Sequence, residues 1–188
     1  MDVFRVWNDF FGELPPIGHL MRESLQDRWL RIHSLPESKR YAENELEYSV
    51  LLNRHGRVSR EILGLAKDTI LFVPVWGDDD VAPKLREFNW TSRSGLANAS
   101  PKEFARSEAE EPPIRIVGAT ICWSDGLWLD LLRDVADDQV RAVFLNPDTG
   151  EVYAPYDGGA DMFLTNHQRV KVLKRRWSVW LSAHPQGL

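Results

Sequence analysis

The segment Asn146-Pro147-Asp148-Thr149-Gly150 lies between two runs of strand-forming residues, 140–145 and 151–154, and turns the chain back on itself. Proline early in the turn presets φ, and glycine at its end takes a left-handed conformation at no steric cost, so the two runs close into an antiparallel hairpin. Directly after it, Tyr156-Asp157-Gly158-Gly159-Ala160-Asp161 repeats a strand-turn-strand pattern and sets two carboxylates beside a backbone that glycine lets bend. The C-terminal part of the chain is thereby committed to antiparallel pairing.

Further upstream, residues 69–76 and 114–123 are rich in β-branched and aromatic residues and are expected as strands. Pro74 removes a donor from the first of them, which points to an edge, a bulge or the strand's end. Pro15-Pro16 breaks the opening aromatic segment, 17–29 has room for a short helix, and 29–33 is expected to be extended. Pro36 suits the first turn of a longer helix capped by Ser34 and ended by Gly56, with Ser59 capping a short turn after it. Ser124 or Asp125 can cap a helix carrying Leu131, Leu132 and Val135. Asn166 can cap a last one, in which Val170, Leu173, Trp177 and Trp180 recur at helical spacing.

Between 77 and 113 periodicity decays into Asp78-Asp79-Asp80, a Ser/Asn/Ala run and an acidic stretch before Pro112-Pro113, the composition of a mobile loop. The three aspartates suit a solvated turn better than a cation site. Strands and helices alternate around one sheet with an antiparallel pair near the end. The expected class is therefore α+β: a single domain over 1–188 with a mainly antiparallel sheet, a C-terminal hairpin and flanking helices.

Composition narrows the functional classes. A chain of 188 residues, 43% hydrophobic, can fill one core, and most of its eight tryptophans are expected inside it. The formal charge of -5 makes nucleic acid an improbable partner and favours a basic protein partner. The last helix is nevertheless locally basic, with Arg169, Lys171, Lys174, Arg175 and Arg176. Cys122 is the lone cysteine, expected as a buried inert thiol. It excludes an internal disulfide and points to a reducing, cytoplasmic setting. No run approaches the roughly 18 apolar residues of a membrane span.

Two groups of residues carry chemistry. Arg31, His33, Lys39 and Arg40 surround the expected helix start near Pro36, where unpaired amides and the helix dipole favour a phosphate or carboxylate. The competing reading has Ser34 capping and the basic groups in solvent. The second group is the loop Tyr156, Asp157, Gly159 and Asp161, whose two carboxylates could approach one cation or simply order the turn. Two carboxylates do not complete a metal site, so no metal and no cofactor are assigned.

With the hairpin, the Tyr-Asp segment and the aromatic last helix in place, the chain resembles an uncharacterised bacterial family described only as a domain of unknown function. Its C-terminal signature resembles Tyr-Asp-Asp-Arg-Gly-x-Asp, which Tyr156, Asp157, Gly159 and Asp161 match. Gly158-Gly159 departs from it, so one acid and the arginine of that signature are missing here. The resemblance implies an architecture and no reaction. The reading of the residues favours a non-catalytic protein-binding factor, immunity- or antitoxin-like. An enzyme or binding protein for an anionic or phosphorylated small molecule is second, and a nucleic-acid binder third.

Overall fold

The computed structural model describes residues 1–75, 85–105, 113–124 and 126–182. Its centre is one seven-stranded, wholly antiparallel sheet built from β1 (Trp29–His33), β2 (Lys67–Val75), β3 (Lys102–Phe104), β4 (Ile114–Trp123), β5 (Val143–Leu145), β6 (Val152–Tyr156) and β7 (Gly159–Phe163). The strand order is β1-β7-β6-β5-β2-β4-β3. Among the described residues six helices pack around it: α1 (Val3–Phe11), α2 (Gly18–Ser24), α3 (Glu45–Leu63), α4 (Trp90–Ser94), α5 (Leu129–Ala136) and α6 (His167–Arg176). The fold is α+β, as the pattern of elements predicts.

Strand alternation divides the core into two layers. Leu30, Ile32, Leu71, Val73, Tyr153 and Met162 point to the face covered by α3, α4, α5 and α6. Ile70, Phe72, Val143, Val152, Ala154 and Phe163 point to the other face, which Trp7 of α1 and Ile17 and Met21 at α2 cover. Five of the tryptophans, Trp7, Trp90, Trp123, Trp128 and Trp177, are buried as expected. Each contributes on the order of 2 kcal/mol through the apolar area it removes from water.

The C-terminal turns follow the sequence. Phe144 pairs with Tyr153 across the β5–β6 hairpin, and Gly150 takes the left-handed conformation at φ 72°. Pro74 lies near the end of β2, beyond the point where β5 stops pairing at Phe72. Asn166 caps α6 by accepting from the Arg169 amide at 3.0 Å.

Elsewhere the structure differs from the expected boundaries. The long helix starts at Glu45 and not at Pro36, because Glu37 and Ser38 take left-handed φ values of 57° and 58° that no helix admits. Asn44 is its cap, accepting from the Glu47 amide. Gly56 and Ser59 lie inside α3, which runs on to Leu63. Its buried stripe is Leu51, His55, Val58 and Ile62, while Leu46 is exposed. α5 is entered from Trp128 with no side-chain cap, so Ser124 does not cap it, and Asp125 lies outside the described residues.

The described part of 77–113 holds α4 and β3 and is not loop throughout. Asp78, Asp79 and Asp80 lie outside the described residues. Cys122 is exposed and not buried, because alternation along β4 turns Ile121 and Trp123 inward and Cys122 outward. Among the described residues no helix is long and apolar enough to cross a membrane.

Candidate functional site

Antiparallel pairing of β1 with β7 sets Arg31 directly opposite Asp161, and β6 sets Ala154 on the other side of Asp161. All three side chains belong to the α2 face. The Arg31 guanidinium donates to both Asp161 oxygens, Nε to Oδ1 at 2.8 Å and Nη2 to Oδ2 at 2.9 Å. Trp29, two residues back on the same face, donates Nε1 to Oδ1 at 2.7 Å. The Asp161 side chain is 5% exposed and that of Arg31 14%. Burial works against the Arg31 charge, but the Asp161 hydrogen bonds and attraction outweigh it and raise its pKa. The guanidinium carbon lies 4.8 Å from the ring centre of Tyr156 and 5.3 Å from that of Trp29, so aromatic faces hold the cation in place.

The β6–β7 turn supplies a second ion pair. Asp157 is buried and accepts from Arg40 Nε. Tyr41 lies beside the same carboxylate, and its interaction with Asp157 is the main cause of the raised Tyr41 pKa. Arg40 in turn lies over the Tyr41 ring at 5.4 Å. The guanidinium at this turn comes from a residue far upstream in the chain, not from the turn itself.

The glycines act differently from the sequence expectation. Neither Gly158 nor Gly159 has a positive φ. Gly159 is needed because β1 passes close by: a Cβ there would stand 2.0 Å from the Ile32 carbonyl oxygen.

These groups meet in one cleft of about 150 Å³ between the start of α2 and the ends of the strands. Arg31, Arg40, Tyr156, Asp157 and Asp161 line it, joined by His19 and Arg141. Three guanidiniums face two carboxylates there. Arg141, like Arg40, is exposed and leans on Asp138 at 3.4 Å, a pair of little energetic weight in water. Burial drives the Tyr156 phenol up to about 12, so it is a neutral donor at physiological pH.

Of the residues singled out in the sequence, Arg31 and Arg40 join Tyr156, Asp157 and Asp161 at the cleft, while Lys39 and His33 do not. Lys39 reaches Glu47 at 2.7 Å and Glu43 at 3.1 Å instead. His33 is half-buried, and its Nε2 has no hydrogen-bond partner among the described residues. Burial first, then the charges of Arg31 and Arg54, lower its pKa. The convergence comes from sheet register and not from a helix N-terminus. Among the described residues no cluster of three or more His, Cys, Asp or Glu side chains could hold a metal ion, and both cleft carboxylates are engaged by arginine.

Sequence reasoning missed Trp29, Tyr41, His19 and Arg141. Period-2 alternation from Arg31 would have found Trp29, whereas the others depend on tertiary packing. It also missed a buried polar relay beneath the sheet. Ser34, fully buried, bonds His55 Nε2 at 2.7 Å, and His55 Nδ1 bonds the Tyr153 hydroxyl at 2.5 Å. A neutral imidazole donates through one nitrogen and accepts through the other, so the two bonds satisfy the ring. Ser34 is thus a tie between the end of β1 and α3, not a helix cap. The basic last helix is partly spent on acids: Arg169 meets Glu61 at 2.8 Å and Glu151 at 3.2 Å, and Arg176 also pairs with Glu61.

No curated protein and no solved structure matches the chain. The model of one family, described as a domain of unknown function (DUF3885), matches residues 17–185, a span that includes α2, both ion pairs, the whole sheet and α6. With nearly its whole length matched, the chain belongs to the DUF3885 family.

Proposed function

We propose that this chain is a binding protein for a small anionic ligand, held through a carboxylate or phosphate in the cleft of Arg31, Arg40 and Arg141. The observation that supports this reading is the convergence of three arginines from separate parts of the chain on one small cleft. Two of them are fixed by buried carboxylates, which orients their remaining N–H groups, and the third, Arg141, has only the exposed Asp138 as its counter-charge. A guanidinium held in advance loses little rotamer freedom when an anion arrives, and its planar fork suits carboxylate and phosphate oxygens. Neutral Tyr156 adds a hydroxyl beside Arg31. The volume suits a small ligand or the acidic end of a larger one.

Inorganic phosphate and acetate, each against chloride at equal ionic strength, test the reading by thermal unfolding. At ten times Kd the bound anion raises Tm by about 4 °C. Arg141→Ala, at an exposed position, keeps the fold and weakens the shift at least tenfold in anion concentration. No shift beyond that of chloride for either anion overturns the proposal.

The protein-binding reading, an immunity- or antitoxin-like factor for a basic partner, is supported by the net charge of -5 and is kept second. A partner recovered at one-to-one stoichiometry from native lysate, and lost as salt is raised, would promote it. The single cysteine supports placing the protein in a reducing compartment such as the cytoplasm.

A further inference from the structure

The arginine cleft differs in chemistry across its width, and the sheet register sets the difference. One cross-strand row on the α2 face runs Arg31, Asp161, Ala154, Val143: Arg31 pairs with Asp161 and Asp161 with Ala154, and continuing the β5–β6 register sets Val143 beside Ala154. The row is charged on β1 and β7 and apolar on β6 and β5. Val143 and Ala154 are buried and line the cleft, and Ile17, also buried, covers them from the start of α2. Tyr156 and Arg141 stand two residues beyond Ala154 and Val143, so the polar groups lie beside this apolar floor and not under it.

Gly18 sets the width of the apolar part. It lines the cleft, its φ is not left-handed, and a Cβ built on it would stand 3.5 Å from the Ala154 Cβ and 3.7 Å from Asp161 Oδ2, ordinary contact distances. The space over Ala154 therefore accepts a single carbon without a clash, the thickness of a methylene chain. Each methylene buried there strengthens binding about fourfold. A phosphate carries oxygens on every side, and those turned towards Ala154 and Val143 would lose water without gaining a donor. A carboxylate with a hydrocarbon tail has its oxygens at one end only.

We propose that the ligand class of this cleft is a short, unbranched aliphatic carboxylate. Its oxygens are held by Arg31, Arg40 and Arg141, and its chain lies over Ala154 and Val143 against Ile17 and Gly18. This specificity rests on the cleft being the anion site proposed above, and narrows its ligand from any small anion to one with a slim apolar tail.

The probes are acetate, butyrate, pivalate and inorganic phosphate, each titrated into uniformly ¹⁵N-labelled protein at an ionic strength held constant with chloride. Saturable movement of the Gly18 amide signal gives each Kd. Butyrate is expected to bind about tenfold more tightly than acetate, from its two further methylenes, and more tightly than phosphate. Pivalate, branched next to its carboxylate, is expected to bind no better than acetate. Gly18→Ala places its own methyl group in the space without a clash, so its spectrum stays that of the folded protein while butyrate falls to the level of acetate. Arg141→Ala weakens acetate and butyrate by the same factor. Equal Kd values for butyrate and acetate, or a butyrate advantage undiminished in folded Gly18→Ala, overturn the tail specificity and leave the anion site standing. No saturable shift with any of the anions removes both.

Discussion

Asp161 organises the cleft because one buried carboxylate accepts three hydrogen bonds, two from Arg31 and one from Trp29. Removing it leaves a guanidinium largely out of water without its counter-charge. Asp161→Ala is therefore expected to cost about 3 to 4 kcal/mol, the usual penalty for breaking a buried pair. Asp157 is as well buried, but its partner Arg40 has a side chain 62% exposed and is rehydrated when released. Asp157→Ala is accordingly expected to cost about 1 kcal/mol, after discount for solvent screening. Urea denaturation of the two variants checks the ordering. Equal losses would show that Arg31 does not depend on Asp161 for its burial.

At the level of elements, the β1–β7 pairing carries the site, since it places Arg31 opposite Asp161. Gly159 pairs with His33 at the end of that ladder and sits against the Ile32 carbonyl. Gly159→Ala must push the strands apart or shift their register, at about 3 kcal/mol, the upper range for overpacking. Gly158→Ala is expected to be milder, because its Cβ would meet the Tyr156 ring at 3.0 Å and Arg40 Cγ at 3.6 Å, side chains that can move, and no backbone. Thermal unfolding and phosphate binding of both variants separate these effects. The Gly159 variant loses anion binding together with stability, and the Gly158 variant retains most of both.

For the whole molecule, the relay Ser34–His55–Tyr153 ties the end of β1, α3 and β6 together and couples stability to pH. Burial, and after it the Arg54 charge, lower the His55 pKa from 6.5 to about 4. In the unfolded chain the ring takes a proton as pH falls through 6.5, whereas in the folded chain it stays neutral to about 4. The unfolded state thus binds more protons in this window. The stabilising contribution is complete above 6.5 and is lost progressively as pH falls towards 4. His33, lowered by burial and by Arg31 and Arg54, acts in the same direction. A loss of about 2 kcal/mol is expected between about pH 7.5 and about pH 5 for His55 alone. Urea midpoints across that range should fall for the unaltered protein and fall less steeply for His55→Gln. Identical slopes would remove His55 as the coupling group.

The amino-acid order by itself determined what is local. Asn146 to Gly150 encodes its own turn, Asn166 its own helix cap, and the Thr69–Val75 run its own strand, because proline, glycine, short polar side chains and β-branching act through the nearest backbone. The class, α+β with antiparallel pairing, followed from these units. The long helix was misplaced at its start because Pro36 has the chemistry of a first turn, while left-handed Glu37 and Ser38 answer to tertiary packing. Arg31, Arg40, Asp157 and Asp161 were each legible as candidates, yet their pairing was not. A register between β1 and β7, more than a hundred residues apart, decides which carboxylate meets which guanidinium, and the buried faces of the sheet set that register. His19 and Arg141 reached the cleft, and His55 the relay beneath the sheet, for the same reason: only the three-dimensional packing of distant segments brings them there.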